Sequence, residues 1–309
     1  MLSRIAESLY WVGRYIERAE DTARILDVHF HLLLEQPAES GPRSCDNVLR
    51  VMGATPPEGE RVATTALVND LLAFDESSAA SIVGALSAAR HNASGAREVI
   101  PSEMWQALNA TYNQLPGRAD TAGVVPHLFF QWVKERAALL SGLADSLMSR
   151  DDGWQFLLLG RNLERVDMTA RLLTARFAPG VEASGWVTTL KCCSAHEAYL
   201  RTYRRAVDAS LVAEFLLLDR LFPRSIYSSL TSAEGCLAEL SPVAGRAGPA
   251  DDARRILGRA RNDLEYRKVG ELLDDLPAFL VSVQASCAAA GAAVGERYFR
   301  STAPVEWIA

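Results

Sequence analysis

LYWVGRYIERAEDTARIL at residues 9–26 and FLLLGRNLERVDMTARLL at residues 156–173 are two versions of one stretch. Gly13, Arg14, Glu17, Arg18, Thr22, Ala23, Arg24 and Leu26 return as Gly160, Arg161, Glu164, Arg165, Thr169, Ala170, Arg171 and Leu173, each 147 positions on. One Glu-Arg dipeptide carries no information, but eight identities at a single offset point to an internal duplication. Around the first copy, Ile5, Leu9, Val12, Ile16, Ala19, Ala23, Leu26, Phe30 and Leu33 step by four and three. That spacing keeps one stripe of a helix against a partner helix. Phe156, Leu159, Leu163, Val166, Ala170, Leu173 and Phe177 repeat it in the same register. A second stripe sets Arg18 between Trp11 and Ile25, and Arg165 between Leu158 and Leu172. Two central helices are therefore predicted.

A second match, LVNDLLAFDESSAASIVGAL (67–86) with LVAEFLLLDRLFPRSIYSSL (211–230), lies at an offset of 144. The two offsets differ by one small deletion, as a diverged duplication would leave. Residues 34–44, 53–60, 113–123 and 242–251 read as Pro/Gly loops, and Pro179-Gly180 ends the second central helix. Helices are expected near 47–52, over 62–74 and 78–100, from Pro101, and over 125–148, 186–218, 252–274 and 277–299. No period-two strand pattern with hairpin turns occurs. The expected fold is all-α, a multi-helix bundle of 309 residues in one domain, with pseudo-two-fold halves 1–150 and 151–309.

Composition bounds the function. A net charge of −6 argues against a nucleic-acid binder, which shows a basic face. No run resembles a membrane span, and the charged N-terminus lacks a signal peptide's apolar region; a cytoplasmic protein is expected. The five cysteines are odd in number, scattered and without a C-x-x-C, so they read as buried thiols. His29 and His31 lie on nearly opposite sides of a helix, while His91, His127 and His196 are isolated. No histidine follows Glu7, Glu17 or Glu164 at the spacing of a di-metal bundle. No metal site and no cofactor are expected. P-loop, G-x-G-x-x-G and G-x-S-x-G sequences are absent.

The Glu-Arg pairs support two readings. Glu17 and Arg18 diverge on their helix and do not pair with each other, whereas Glu20 and Arg24 can. If the halves pack about a pseudo-two-fold axis, Glu17 meets Arg165 while Glu164 meets Arg18, a buried ionic lock. Alternatively Arg14, Arg18, Arg161 and Arg165, with Glu17, Glu20 and Glu164, line a pocket for an anionic ligand, since the guanidinium fork grips carboxylate or phosphate. Spacing favours the lock. Two further arginines join the candidates. Arg97 belongs to a polar cluster with Arg90, Asn92, Glu103, Trp105 and Asn109, and Arg224 precedes a helix start, where backbone N–H groups also favour anions.

YWxGRYxERAE at 10–20, GRNxER at 160–165, ARHN…EMWQALN within 89–109 and LD…PRSI at 218–226 together resemble the alpha-E family, over nearly the full chain. His91 departs from that pattern, standing where similar proteins are expected to be more acidic. The resemblance implies a bacterial α-helical protein encoded beside a circularly permuted ATP-grasp amide ligase and a transglutaminase-like peptidase. It implies work on peptides and brings no defined activity. The expectation is an accessory protein that binds a peptide or the ligase through its Arg/Glu-lined centre. The alternatives are an enzyme of peptide-bond formation or amide transfer with Glu17 or Glu164 as general base, and a structural homo-oligomer.

Overall fold

The computed structural model describes residues 1–35, 41–55, 62–122, 125–177, 185–242 and 251–299. Among them are fourteen α-helices and no strand, so the chain is all-α. The first six helices are α1 (Ser3–Glu35), α2 (Gly41–Met52), α3 (Thr65–Asn69), α4 (Ile82–Gly95), α5 (Ser102–Ala122) and α6 (Pro126–Leu147). After the turn at 148–151 come α7 (Asp152–Ala175), α8 (Trp186–Cys192), α9 (His196–Tyr203), α10 (Ala209–Leu218) and α11 (Ile226–Leu240). The last three are α12 (Asp252–Tyr266), α13 (Val269–Asp274) and α14 (Leu276–Val294). The two repeated stretches are α1 and α7, and they pack directly on each other.

The other helices form matching surrounds. α1 packs on α4 and α6, as α7 does on α11 and α14. α5 bridges α4 and α6, as α12 bridges α11 and α14, and α2 and α8 each touch both central helices. The second sequence match has local counterparts too. Ser81 caps α4, its Oγ accepting from Gly84 N while donating to the Asp75 carbonyl; Ser225 caps α11, accepting from Ser228 N and donating to the Asp219 carbonyl. Such caps satisfy helix-start N–H groups that have no partner within the helix.

Several boundaries differ from the sequence expectation. The predicted loop at 113–123 is helical as far as it is described: α5 continues through Pro116 to Ala122, anchored by the buried Leu115 while Pro116 itself faces outward. There the missing N–H costs one hydrogen bond without forcing the helix to end. The predicted run 186–218 is three helices. Ser194 and Arg204 take left-handed conformations, φ 56° and 51°. Neither is the glycine or asparagine that usually announces one. Helix 252–274 divides at 267–268, and the 62–74 and 277–299 helices finish as π-helical turns, Asp70–Phe74 and Gly295–Phe299. The proposed ends at Pro179-Gly180 and most of the 242–251 loop lie outside the described residues. One run meets a test that the sequence reading granted to none: within Leu276–Phe299 an 18-residue window reaches a mean hydropathy of 1.6, long and apolar enough to cross a membrane by length and composition alone. Here it packs on α7 and α12 through Phe279, Leu280, Val283, Cys287, Ala290 and Val294.

Candidate functional site: the glutamate–arginine centre and its groove

Gly13 and Gly160 bring the two central helices into backbone contact. A Cβ on Gly13 would stand 2.1 Å from the Leu157 carbonyl oxygen, and one on Gly160 would stand 2.1 Å from that of Tyr10. Leu157 occupies Tyr10's position in the second copy, so the contact is reciprocal. No other residue type fits at either point. The next turn of each helix carries the charges, and with the backbones this close they interdigitate. Arg165 Nε donates to Glu17 Oε1 at 2.8 Å. Arg18 grips Glu164 with two bonds, Nε to Oε1 at 2.6 Å and Nη2 to Oε2 at 3.0 Å. The crossed pairing expected from the spacing is the one formed.

Arg14 also crosses to the other helix, Nε donating to Glu164 Oε2 at 2.7 Å, while its Nη1 donates to the Tyr10 hydroxyl at 3.0 Å. Its counterpart Arg161 turns away, toward the half-exposed Asp145 at 3.3 Å. Arg224 takes the vacant side. It reaches α1 from the residue before the α11 cap, with Nη1 on Glu17 at 2.8 Å and on Asp21, and Nη2 on Glu20 at 2.7 Å. Glu20 is shared with Arg24 at 2.6 Å, the intrahelical pair predicted. Arg97 is not part of the centre. It lies over the Trp105 ring, 4.8 Å from its centroid, in a separate stack with Arg90 and Tyr112 at the α4–α5 corner.

Glu17 and Glu164 are each 1% exposed. Burial pushes their carboxyls up, but the facing guanidiniums outweigh it and hold both below the ordinary range: Arg224 and Arg165 for Glu17, Arg14 and Arg18 for Glu164. Asp21 behaves oppositely. Burial pushes it up to about 7, because it shares one guanidinium with Glu17 and Glu20, whose charges oppose its own. Its Oδ2 is buried without a hydrogen-bond partner, as is Glu17 Oε2. Arg224 is held well above its ordinary value; burial opposes this, and the three carboxylates overcome it.

A groove of about 510 Å³ adjoins the centre between α1 and α14. Glu7, Trp11 and Arg14 form one wall, while Ala288, Gly291 and Gly295 keep the other low. A Cβ on Gly291 would come within 3.3 Å of the Tyr10 hydroxyl. Among the sequence-predicted arginines, Arg14 belongs to both the centre and the groove wall. The spacing gives no sign of the groove, because α14 lies at the far end of the described chain from α1.

The histidines also depart from expectation. His29 is buried against Ser44 and Cys45, and burial lowers it to about 4. His127 is not isolated: its ring meets that of His31 edge to face beside Asp27. All five cysteines are free and buried, as predicted.

Residues 1–299 match the Alpha-E family, described as a predicted alpha-helical domain with a conserved ER motif. An uncharacterized protein of Mycobacterium tuberculosis is 24% identical over 313 residues, covering 92% of this chain and 35% of the relative. An uncharacterized protein of Mycobacterium bovis matches to the same extent. The chain thus spans about a third of the length of these curated relatives. No solved structure matches. The chain belongs to the Alpha-E family.

Proposed function

We propose that this Alpha-E protein is a non-catalytic binding protein of a peptide- or amide-forming system, acting in the cytoplasm. In this reading the glutamate–arginine centre is an ionic lock that fixes two duplicated halves about a pseudo-two-fold axis. The groove beside it receives a peptide carboxylate. One observation carries the reading: Arg14 is fixed by Glu164 and Tyr10 yet forms part of the groove wall. A guanidinium oriented in advance loses little freedom on gripping a carboxylate. Glu7, in the same wall two turns earlier, suits the amino group of a short peptide, and Trp11 between them suits its apolar part. The family resemblance adds a circularly permuted ATP-grasp ligase and a transglutaminase-like protein as partners.

Catalysis by Glu17 or Glu164 is the weaker reading. A general base needs access to the reacting group and a pKa near the working pH. Both carboxylates accept from guanidiniums, are sealed from solvent and sit below the ordinary range. The test leaves the lock untouched. Trp11→Ala and Glu7→Gln are titrated calorimetrically with short peptides carrying a free or an amidated C-terminus. Binding of the free acid by the native protein, lost on amidation and weakened in both variants, supports the reading. Equal binding of acid and amide, or none, overturns it.

A further inference from the structure

Asp27 and His31 lie one turn apart on α1 and face the same way, and His127 meets them from the second residue of α6. His127 Nδ1 lies 2.5 Å from Asp27 Oδ1 and 3.2 Å from His31 Nε2, and the remaining edge, His31 Nε2 to Asp27 Oδ1, is 3.6 Å. Hydrogen bonds cannot account for all three edges at once: if both imidazoles turn an N–H to Asp27 Oδ1, the 3.2 Å edge between the two nitrogens is no bond. A neutral imidazole nitrogen is either a donor or an acceptor. If His127 Nδ1 donates to Asp27, it has no lone pair for His31. If it accepts from His31, it points a lone pair at a carboxylate oxygen.

We propose that Asp27, His31 and His127 form a three-ligand site for a divalent transition-metal ion of the zinc type. A cation is the group to which all three atoms can offer lone pairs at once. Zinc bonds of about 2.0–2.2 Å in tetrahedral geometry set ligand atoms roughly 3.3–3.5 Å apart. Two edges of the triangle are near that spacing. The third opens to it by a small rotation of His127, which is over a third exposed at its helix start. Lys134 Nζ holds the other oxygen of Asp27 at 2.6 Å. That bond orients Oδ1 toward the histidines, as outer partners of metal ligands do. His31 is half exposed, so the remaining position opens to water. Two imidazoles and one carboxylate suit zinc-type ions over calcium or magnesium. The ion would tie the end of α1 to the start of α6, away from the glutamate–arginine centre.

Tag-free, chelator-stripped protein is titrated with zinc chloride against a chromophoric chelator, and with cobalt(II) for its ligand-field spectrum. The expected result is one ion per chain and a low-symmetry cobalt spectrum. His31→Ala and His127→Ala should each weaken binding by about a hundred-fold or more, since loss of an outer partner alone costs roughly 10–100-fold. His91→Ala and His196→Ala should bind as the native protein does. Circular dichroism establishes that each variant is folded. Absence of one-to-one uptake, or uptake indifferent to His31 and His127, overturns the proposal.

Discussion

Replacing Gly13 by alanine tests whether backbone contact between the central helices is what builds the glutamate–arginine centre. The new methyl would stand 2.1 Å from the Leu157 carbonyl oxygen, where ordinary contact begins near 3.4 Å. The obstacle is backbone, so no rotamer change relieves it, and α1 and α7 must move apart until ordinary contact is restored. Closing the gap between those two distances stretches the 2.8 Å Arg165–Glu17 bond beyond hydrogen-bonding reach. Overpacking costs about 1–3 kcal/mol, and a broken buried ion pair about 3–5 kcal/mol. Alanine returns about 1 kcal/mol through helix propensity. With the ion pair broken, these contributions give an expected net loss of about 3–7 kcal/mol.

Urea denaturation at neutral pH measures it, with Gly142→Ala as the internal comparison. Gly142 lies within α6 with no atom near its missing Cβ. Alanine there should stabilise by roughly 0.5–1 kcal/mol. Gly160→Ala should cost about as much as Gly13→Ala. The double variant should cost clearly less than the two losses added, because one separation of the helices relieves both clashes. A Gly13→Ala protein within about 0.5 kcal/mol of the parent, a change typical of indifferent surface sites, would refute the reasoning.

Two further outcomes follow from the ion pairs. Glu164→Gln strands the charges of Arg14 and Arg18 and should cost about 3–5 kcal/mol in urea denaturation. Asp145, the partner of Arg161, is 52% exposed. Asp145→Asn should therefore cost under about 1 kcal/mol, and equal effects would remove the distinction between lock and surface pair. The carboxylates also give opposing pH dependences. Glu17 and Glu164, held low when folded, contribute stability above their unfolded pKa near 4.5 that is lost as pH falls. Asp21, raised from 3.8 to about 7, favours folding when protonated, and that contribution fades as pH rises between those values. The stability of the native protein relative to Asp21→Asn should decline across that interval, by at most about 1.4 kcal/mol per pH unit. A flat difference would show that Asp21 titrates normally.

The halves of the site that are legible in the sequence are those in which position and partner repeat together. Gly13 with Gly160 and the crossed pairs Glu17–Arg165 and Glu164–Arg18 lie at one offset on two helices of matching register, so placing the helices together pairs the charges. Arg224 reads from sequence as a cation that shares an anion with its helix start. Its guanidinium instead crosses to Asp21 on α1, 203 residues earlier. The repeat does contain the missing clue. Asp21 has Met168 at its place in the second copy, and Arg224 has Ala80 at its place in the first. The acid and the base are thus both present on one side of the centre and both absent from the other, as two residues that depend on each other must be when buried. Asp21 alone would be an unpaired carboxylate in a sealed interior. A repeat read for its differences therefore locates buried partners as well as one read for its identities. Nothing comparable announces the groove or the Asp27–His31–His127 cluster. Each joins α1 to another helix, and neither α14's small residues nor His127 carries a periodicity that points back to α1.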